Sequence, residues 1–277
     1  MKKIVITGGL GYIGTELCKI YSGYSWNDKI TVIDNRFISE RVNQIRNWNM
    51  TFIQGDILDK DLINEHCKDA DIVHHLAGIT DVPRVKSEST FEKEELIRKV
   101  AEEGTQNILD AISDECKIIM PSSHVVYEGL DSIKKNIKED EKTCPSLAYG
   151  KSKDINEKQL KDSGKNFVIL RLASVYGYST DTARIDIMAN FFAKTASQNG
   201  TLRLFAAGKQ IKSLVPLIDV ARCFKFMEER EDINQELFNL SKDTVTVKEV
   251  ADICKKHNPK IKLRETNDEI PNLGFSI

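Results

Sequence analysis

No stretch of this sequence holds the roughly 20 consecutive apolar residues that a membrane span needs, and the first apolar run breaks at Thr7-Gly8-Gly9. Despite Lys2 and Lys3, that run is too short for the apolar core of a secretion signal. Cysteines lack any pairing pattern: Cys18, Cys67, Cys116, Cys144, Cys223 and Cys254 are scattered, with no C-x-x-C pair and no histidine at metal-ligand spacing. No metal site is expected, and free thiols in a reducing, cytoplasmic setting are. An excess of either charge is also missing, since 40 Lys and Arg face 42 Asp and Glu for a net charge of −2. Without a basic block the electrostatic footprint of a nucleic-acid binder is absent. Neither nucleic acid nor a membrane is expected as a partner.

What is present is an alternation. Strand-length apolar runs occur at 3–7, 30–34, 51–54, 71–76, 117–122 and 167–172, separated by helical patterns at 12–21, 59–67, 91–113 and 149–163. Continuous β-branched runs mark strands covered on both faces, as in a parallel sheet. The expected fold is therefore α/β, a doubly wound parallel sheet of the Rossmann type. After residue 175 the rhythm changes to a helix over 184–198, a short strand "TLRLF", a return to the sheet at "VPLID", a strand "FNLS" and a small helix. Thr246 followed three residues later by Glu249 predicts a capping box at the start of that last helix.

"KIVITGGLGYIGTEL" places Gly8, Gly9, Gly11 and Gly14 between the first strand and the first helix. Glycines there permit a tight turn and close backbone approach to a pyrophosphate, and the helix start supplies free N–H groups. Asp34 ends the next strand twenty residues beyond Gly14, where a carboxylate accepts hydrogen bonds from an adenosine ribose. A dinucleotide cofactor is expected, and Asp34 favours NAD over NADP, with Arg36 close enough to blur the choice. Residues 1–175 are read as the dinucleotide-binding domain, its sheet completed by about 213–240. Segments 176–212 and 241–277 are read as a smaller, discontinuous substrate-binding domain.

Tyr149 and Lys153 lie four apart at the start of a helical pattern and so share a face. A free phenol has a pKa of about 10, and bringing it near neutrality takes roughly 4 kcal/mol. One ammonium at about 4 Å, in an effective dielectric of about 20, supplies that much.

Taken together, the glycine loop, Ser123 and Tyr149-x-x-x-Lys153 resemble the extended short-chain dehydrogenase/reductase family, in particular its nucleotide-sugar epimerases and dehydratases. The resemblance covers about residues 1 to 240. It implies Ser123, Tyr149 and Lys153 as the catalytic set, with Lys153 holding Tyr149 as a phenolate and Ser123 steadying the developing carbonyl. It implies that the cofactor is held by Gly8, Gly11, Tyr12, Ile13 and Gly14 of "TGGLGYIG", Asp34 and Asn35 of "VIDN", and Asp56 and Ile57 of "GDILD". Leu76, Ala77 and Gly78 of "HLAG" line it, together with Tyr149 and Lys153. Substrate contacts are expected from Thr80, Ser123, Tyr149, Asn190 and Lys212.

Family dehydratases carry an Asp-Glu pair after the catalytic hydroxyl residue, and here His124 and Val125 stand there. The implied reaction is epimerisation of a nucleotide-diphosphate sugar, resembling the UDP-hexose 4-epimerases; a dehydrogenase or reductase with net turnover, or a non-catalytic NAD-binding protein, are the alternatives. Three positions depart from the family pattern: Ala101 replaces an asparagine, Lys212 an arginine that grips the diphosphate, and Thr266, with Arg264 two residues earlier, a second diphosphate arginine. The chain stops after "EIPNLGFSI", where the family carries more helix, so a small or truncated substrate lobe is expected. Homodimerisation is expected from the resemblance, through helices 91–113 and 149–163, with Leu96, Val100, Ile108, Ala111 and Ile112 facing the core and Ile97 left for a partner.

Overall fold

The computed structural model describes residues 1–24, 27–80, 90–130, 132–179, 184–266 and 274–277. Strands and helices alternate through the first half: β1 (Lys3–Thr7), α1 (Tyr12–Tyr24), β2 (Lys29–Asp34), α2 (Ser39–Asn47), β3 (Thr51–Gln54), α3 (Lys60–Cys67), β4 (Ile72–His75), α4 (Phe91–Ala111), β5 (Lys117–Ser123), α5 (Ala148–Asp162) and β6 (Asn166–Leu172). The second half holds β7 (Ser174–Tyr176), α6 (Met188–Ser197), β8 (Thr201–Leu204), β9 (Ile211–Pro216), α7 (Leu217–Glu229), β10 (Glu236–Leu240), β11 (Asp243–Thr246), α8 (Val247–His257) and β12 (Lys262–Glu265). The main sheet has seven strands in the order β10-β6-β5-β4-β1-β2-β3, and each pairing is parallel. This is the doubly wound, Rossmann-like arrangement, whose order reverses beside β1.

The alternation of side chains along the strands builds one core on each face. Ile4 and Ile6 point into a cluster with Leu17 and Tyr21 of α1, Val42 and Ile45 of α2, and Val220 and Phe224 of α7. Val5, between them, points the other way and joins Ile63 of α3, Ile108 and Leu109 of α4, and Leu160 of α5. Both faces are covered, so β4 and β5 are buried along their whole length. Among the described residues no helix is long and apolar enough to cross a membrane.

Several expectations need correction. "VPLID" does not return to the main sheet: β9 pairs in parallel with β7 and antiparallel with β11, in a separate three-stranded sheet. Only β10 extends the large sheet, because α7 first runs back across the face that α1 covers. Helix α2 was not foreseen, since only Arg41, Val42 and Ile45 of its nine residues are buried. Helix α6 starts at Met188 rather than 184. On α4 the buried stripe passes through Ile97, Ala101, Thr105 and Ile108, so Ile97 faces the core while Leu96 is 49% exposed. The capping box on α8 is present, with Glu249 N donating to Thr246 Oγ1 at 3.2 Å and Thr246 N donating to Glu249 Oε2 at 2.6 Å.

A small third cluster joins Phe192 of α6, Leu202 and Leu204 of β8, and Ala251 of α8. The turn after β8 is strained: Ala206 and Ala207 both adopt left-handed backbone, with φ of 46° and 53°, before Gly208 at 71°. A β-carbon in that region costs about 1–2 kcal/mol. Ala206→Gly is expected to stabilise the fold by about 1 kcal/mol, read as a midpoint of thermal unfolding raised by roughly 2–4 °C. An unchanged or lowered midpoint would show that the turn carries no releasable strain.

Candidate active site

At the carboxyl ends of the parallel strands lies a cleft of about 2150 Å³. Its floor is the glycine loop. Gly8 has φ +68°, and a β-carbon there would lie 2.7 Å from Ala77 Cα; one on Gly14 would lie 2.5 Å from Gly8 O. Gly8, Gly11, Tyr12, Ile13 and Gly14 line the cleft, and so do Asp34 and Asn35 at the end of β2, Asp56 and Ile57 after β3, and Leu76, Ala77 and Gly78 after β4. The Asp34 carboxylate accepts from Leu10 N at 3.0 Å and from Arg36 N at 3.0 Å. The Arg36 guanidinium folds onto the same carboxylate, donating from Nε at 3.1 Å. Asn35 Nδ2 donates to Asp56 Oδ2 at 2.9 Å, tying the ends of two adjacent loops.

Ser123 closes β5 and Tyr149 lies in the first turn of α5, and both line the cleft with Thr80 and Lys153. Ser122 points elsewhere, donating to Glu157 Oε1 at 2.5 Å. Lys153 Nζ stands 5.9 Å from the centroid of the Tyr149 ring. Burial lowers the Lys153 ammonium to about 8, with the Glu157 carboxylate opposing it, so the group is still charged at neutral pH.

Tyr149 moves in the direction opposite to that expected. Burial pushes its phenol up, while the Arg184 charge and the hydrogen bonds from Ser123 and Thr80 pull it down. Lys153 is not among the groups that lower the phenol, so the spacing of the pair along the helix does not by itself bring the two charges into contact. Arg184 escaped the sequence reading. It lines the cleft and is held by Asp186, Nη2 to Oδ2 at 2.5 Å.

Behind the cleft two polar chains hold these elements in place. Arg171 of β6 donates to both oxygens of Glu157, from Nε at 2.8 Å and Nη2 at 2.7 Å. His75 shares hydrogen bonds with Thr7 Oγ1 at 2.9 Å and Thr105 Oγ1 at 3.0 Å, and Asn156 Nδ2 donates to Thr105 Oγ1 and to Ala101 O, each at 2.9 Å.

The remaining expected substrate residues part ways. Thr80 and Lys212 line the cleft; burial lowers the Lys212 ammonium, and among the described residues it forms no ion pair. His124 also lines it, sharing a 3.4 Å hydrogen bond with Ser174 Oγ, and burial and the Lys212 charge push its imidazole down to about 3. Asn190 is not on the lining: its Oδ1 accepts from Gly177 N at 3.0 Å and its Nδ2 donates to Arg184 O at 2.9 Å. Arg264 is exposed on β12.

A model of the NAD dependent epimerase/dehydratase family matches residues 4–241. The UDP-N-acetyl-alpha-D-glucosaminuronate decarboxylase of Bacillus cytotoxicus is 27% identical over 265 residues, 90% of this chain and 78% of the relative. The UDP-glucose 4-epimerase of Mycoplasma genitalium is 27% identical over 285 residues, 92% of this chain and 81% of the relative. The solved UDP-glucuronic acid 4-epimerase from Bacillus cereus, in complex with UDP-glucuronic acid and NAD, shares the fold with a TM-score of 0.80 at 23% identity, covering 99% of this chain and 89% of that one. The chain belongs to the NAD dependent epimerase/dehydratase family and is an enzyme of that family, with NAD as its cofactor. The cleft fits such a group: its lining includes a glycine loop packed backbone to backbone against the end of β4 and leading into the start of α1, and Asp34 stands at the adjoining strand end.

The buried histidines make stability acid-sensitive. His75 is pushed down to about 3 by burial and the Lys153 charge, His124 also to about 3, and His74 is lowered by burial. An unfolded histidine takes its proton near pH 6.5, so the folded state binds fewer protons below that value. For the fully buried His75 the contribution is full above about 6.5 and is lost as pH falls towards 3, at about 1.4 kcal/mol per pH unit. Urea unfolding from about pH 7.5 to about pH 4.5 should show a steeply falling midpoint, and a flat profile would mean that these rings are not held neutral.

Proposed function

We propose that this enzyme epimerises a nucleotide-diphosphate sugar. The observation that carries the reading is that Thr80, Ser123, Tyr149 and Lys153 line the same cleft as the glycine loop. Bound along that loop, NAD supplies a hydride acceptor that can give the hydride back. Tyr149, as phenolate, takes the proton of the sugar hydroxyl as the carbinol carbon is oxidised, and returns it after the keto-sugar has turned over. Arg184 is the cation that favours the phenolate against the cost of burial, and Lys153, beside the ring, is assigned to hold the nicotinamide ribose. Ser123 donates to the oxygen on which carbonyl character develops. The positions after Ser123 are His124 and Val125, so elimination of water would lack a carboxylic acid and its partner there.

Lys212 fits a diphosphate contact, being a half-buried cation on the cleft wall without an ion-pair partner among the described residues. Segments 176–212 and 241–277 would then form the substrate-binding lobe. Homodimerisation through the outer faces of α4 and α5 belongs to the same proposal; Phe91, exposed at the start of α4, supports it.

Proton NMR of UDP- and GDP-hexoses and UDP-glucuronate, incubated with the enzyme and catalytic NAD, tests the reading. A second anomeric signal should grow to equilibrium without accumulation of reduced cofactor. Tyr149→Phe should lower the rate by about 10²–10⁴-fold, the range for loss of a general acid–base group. Conversion stopping at one equivalent of cofactor would replace epimerisation with net oxidation or reduction, and a product lacking the uronate carboxyl would replace it with decarboxylation.

A further inference from the structure

The segment Gly274–Ile277 crosses from β9 to the loop at 132–137. Gly274 bridges Ile211 and Phe275 bridges Lys134. Gly274 has φ +94°, and a β-carbon on it would lie 2.1 Å from Ile211 O, so only glycine permits this approach. Ser276 is fully buried: its N donates to Lys134 O at 3.0 Å, its O accepts from Ile137 N at 2.8 Å, and its Oγ accepts from Asn136 N at 2.9 Å. Ile277 N donates to Ser213 Oγ at 3.1 Å. The two anchors on β9, Ile211 and Ser213, flank Lys212.

Between these anchors the Phe275 ring reaches the cleft. Its centroid lies 5.3 Å from that of His124, the residue after Ser123, and 6.3 Å from that of Tyr127. Both Gly274 and Phe275 line the cleft. A half-buried aromatic ring on the lining of the cleft that holds Ser123 and Tyr149 offers an apolar face without hydrogen-bond demands, which suits the C–H face of a pyranose.

We infer that the Gly274–Ile277 segment is a wall of the sugar compartment and that Phe275 is a specificity-determining residue for the sugar rather than for the nucleotide. This rests on the nucleotide-sugar reading above. The rival role is packing alone, since Phe275 also touches the small cluster of Val126, Tyr127 and Ile137. A packing role would lower stability and weaken all ligands together; a wall would weaken sugar binding selectively.

The test is calorimetric titration of the NAD-loaded enzyme with UDP, UDP-glucose and UDP-glucuronate, comparing the native protein with Phe275→Ala and Phe275→Leu. Leucine keeps the cluster filled should the alanine variant fail to fold. UDP-glucose and UDP-glucuronate should bind about tenfold more weakly to Phe275→Ala, with a smaller loss for Phe275→Leu, while UDP stays within about twofold of native. Equal loss for UDP and its sugars, or no loss, would overturn the inference and leave the nucleotide-sugar reading standing. A native protein that takes up NAD but neither these three ligands nor GDP and its hexoses would overturn the reading and the wall with it.

Discussion

The buried ion pair between Glu157 and Arg171 fixes the geometry of the proposed reacting groups. Both side chains are only 3% exposed, and Arg171 sits on β6 directly opposite Ser122 of β5. Ser122 donates to Glu157 as well, while the other guanidinium nitrogen reaches Tyr127 and the Glu139 carbonyl. Such a pair adds little net stability, yet breaking it costs about 3–5 kcal/mol because one charge would be left buried and alone. Its consequence is registration. Glu157 lies one turn beyond Lys153 on α5, so the strand carrying Ser123 and the helix carrying Tyr149 and Lys153 are locked in a single arrangement. The same carboxylate opposes the loss of the Lys153 charge on burial.

The cofactor half is tied to that arrangement by the second polar chain. Thr7 ends the strand leading into the glycine loop, and its hydroxyl meets His75 and accepts from Ala77 N at 3.2 Å. His75 in turn meets Thr105 of α4, which receives Asn156 from α5. The imidazole, kept neutral by burial, joins the loop, two strands and two helices without adding a charge beneath the cleft. The loop itself is set by contact distances, since a β-carbon at Gly8 or Gly14 would collide with backbone. The glycine loop and the proposed reacting groups therefore share one framework.

Much of this was legible in the sequence because it is encoded locally. Strand-length β-branched runs, the spacing of Gly8, Gly11 and Gly14, and the helical spacing of Tyr149 and Lys153 each carry their meaning within a few residues. What escaped depends on distant partners. Helix α2 buries too few residues to show a period, β9 chose β7 and β11 through contacts remote in sequence, and Ile97 rather than Leu96 faces inward because of how α4 is rotated. Arg184 and Phe275 reach the cleft from segments far from any motif. The direction of the Tyr149 shift also needed the structure, since burial outweighs charges whose distances the sequence does not give.

The proposed epimerisation requires a hydride that leaves one sugar carbon and returns to it inside this cleft. The most direct test follows a deuterium label at the reacting carbon of UDP-glucose, with NAD-loaded enzyme in ordinary water. Retention of the label at that carbon in both epimers, with none released to solvent, is the predicted result. Loss of the label to water, or its accumulation in free reduced cofactor, would contradict it.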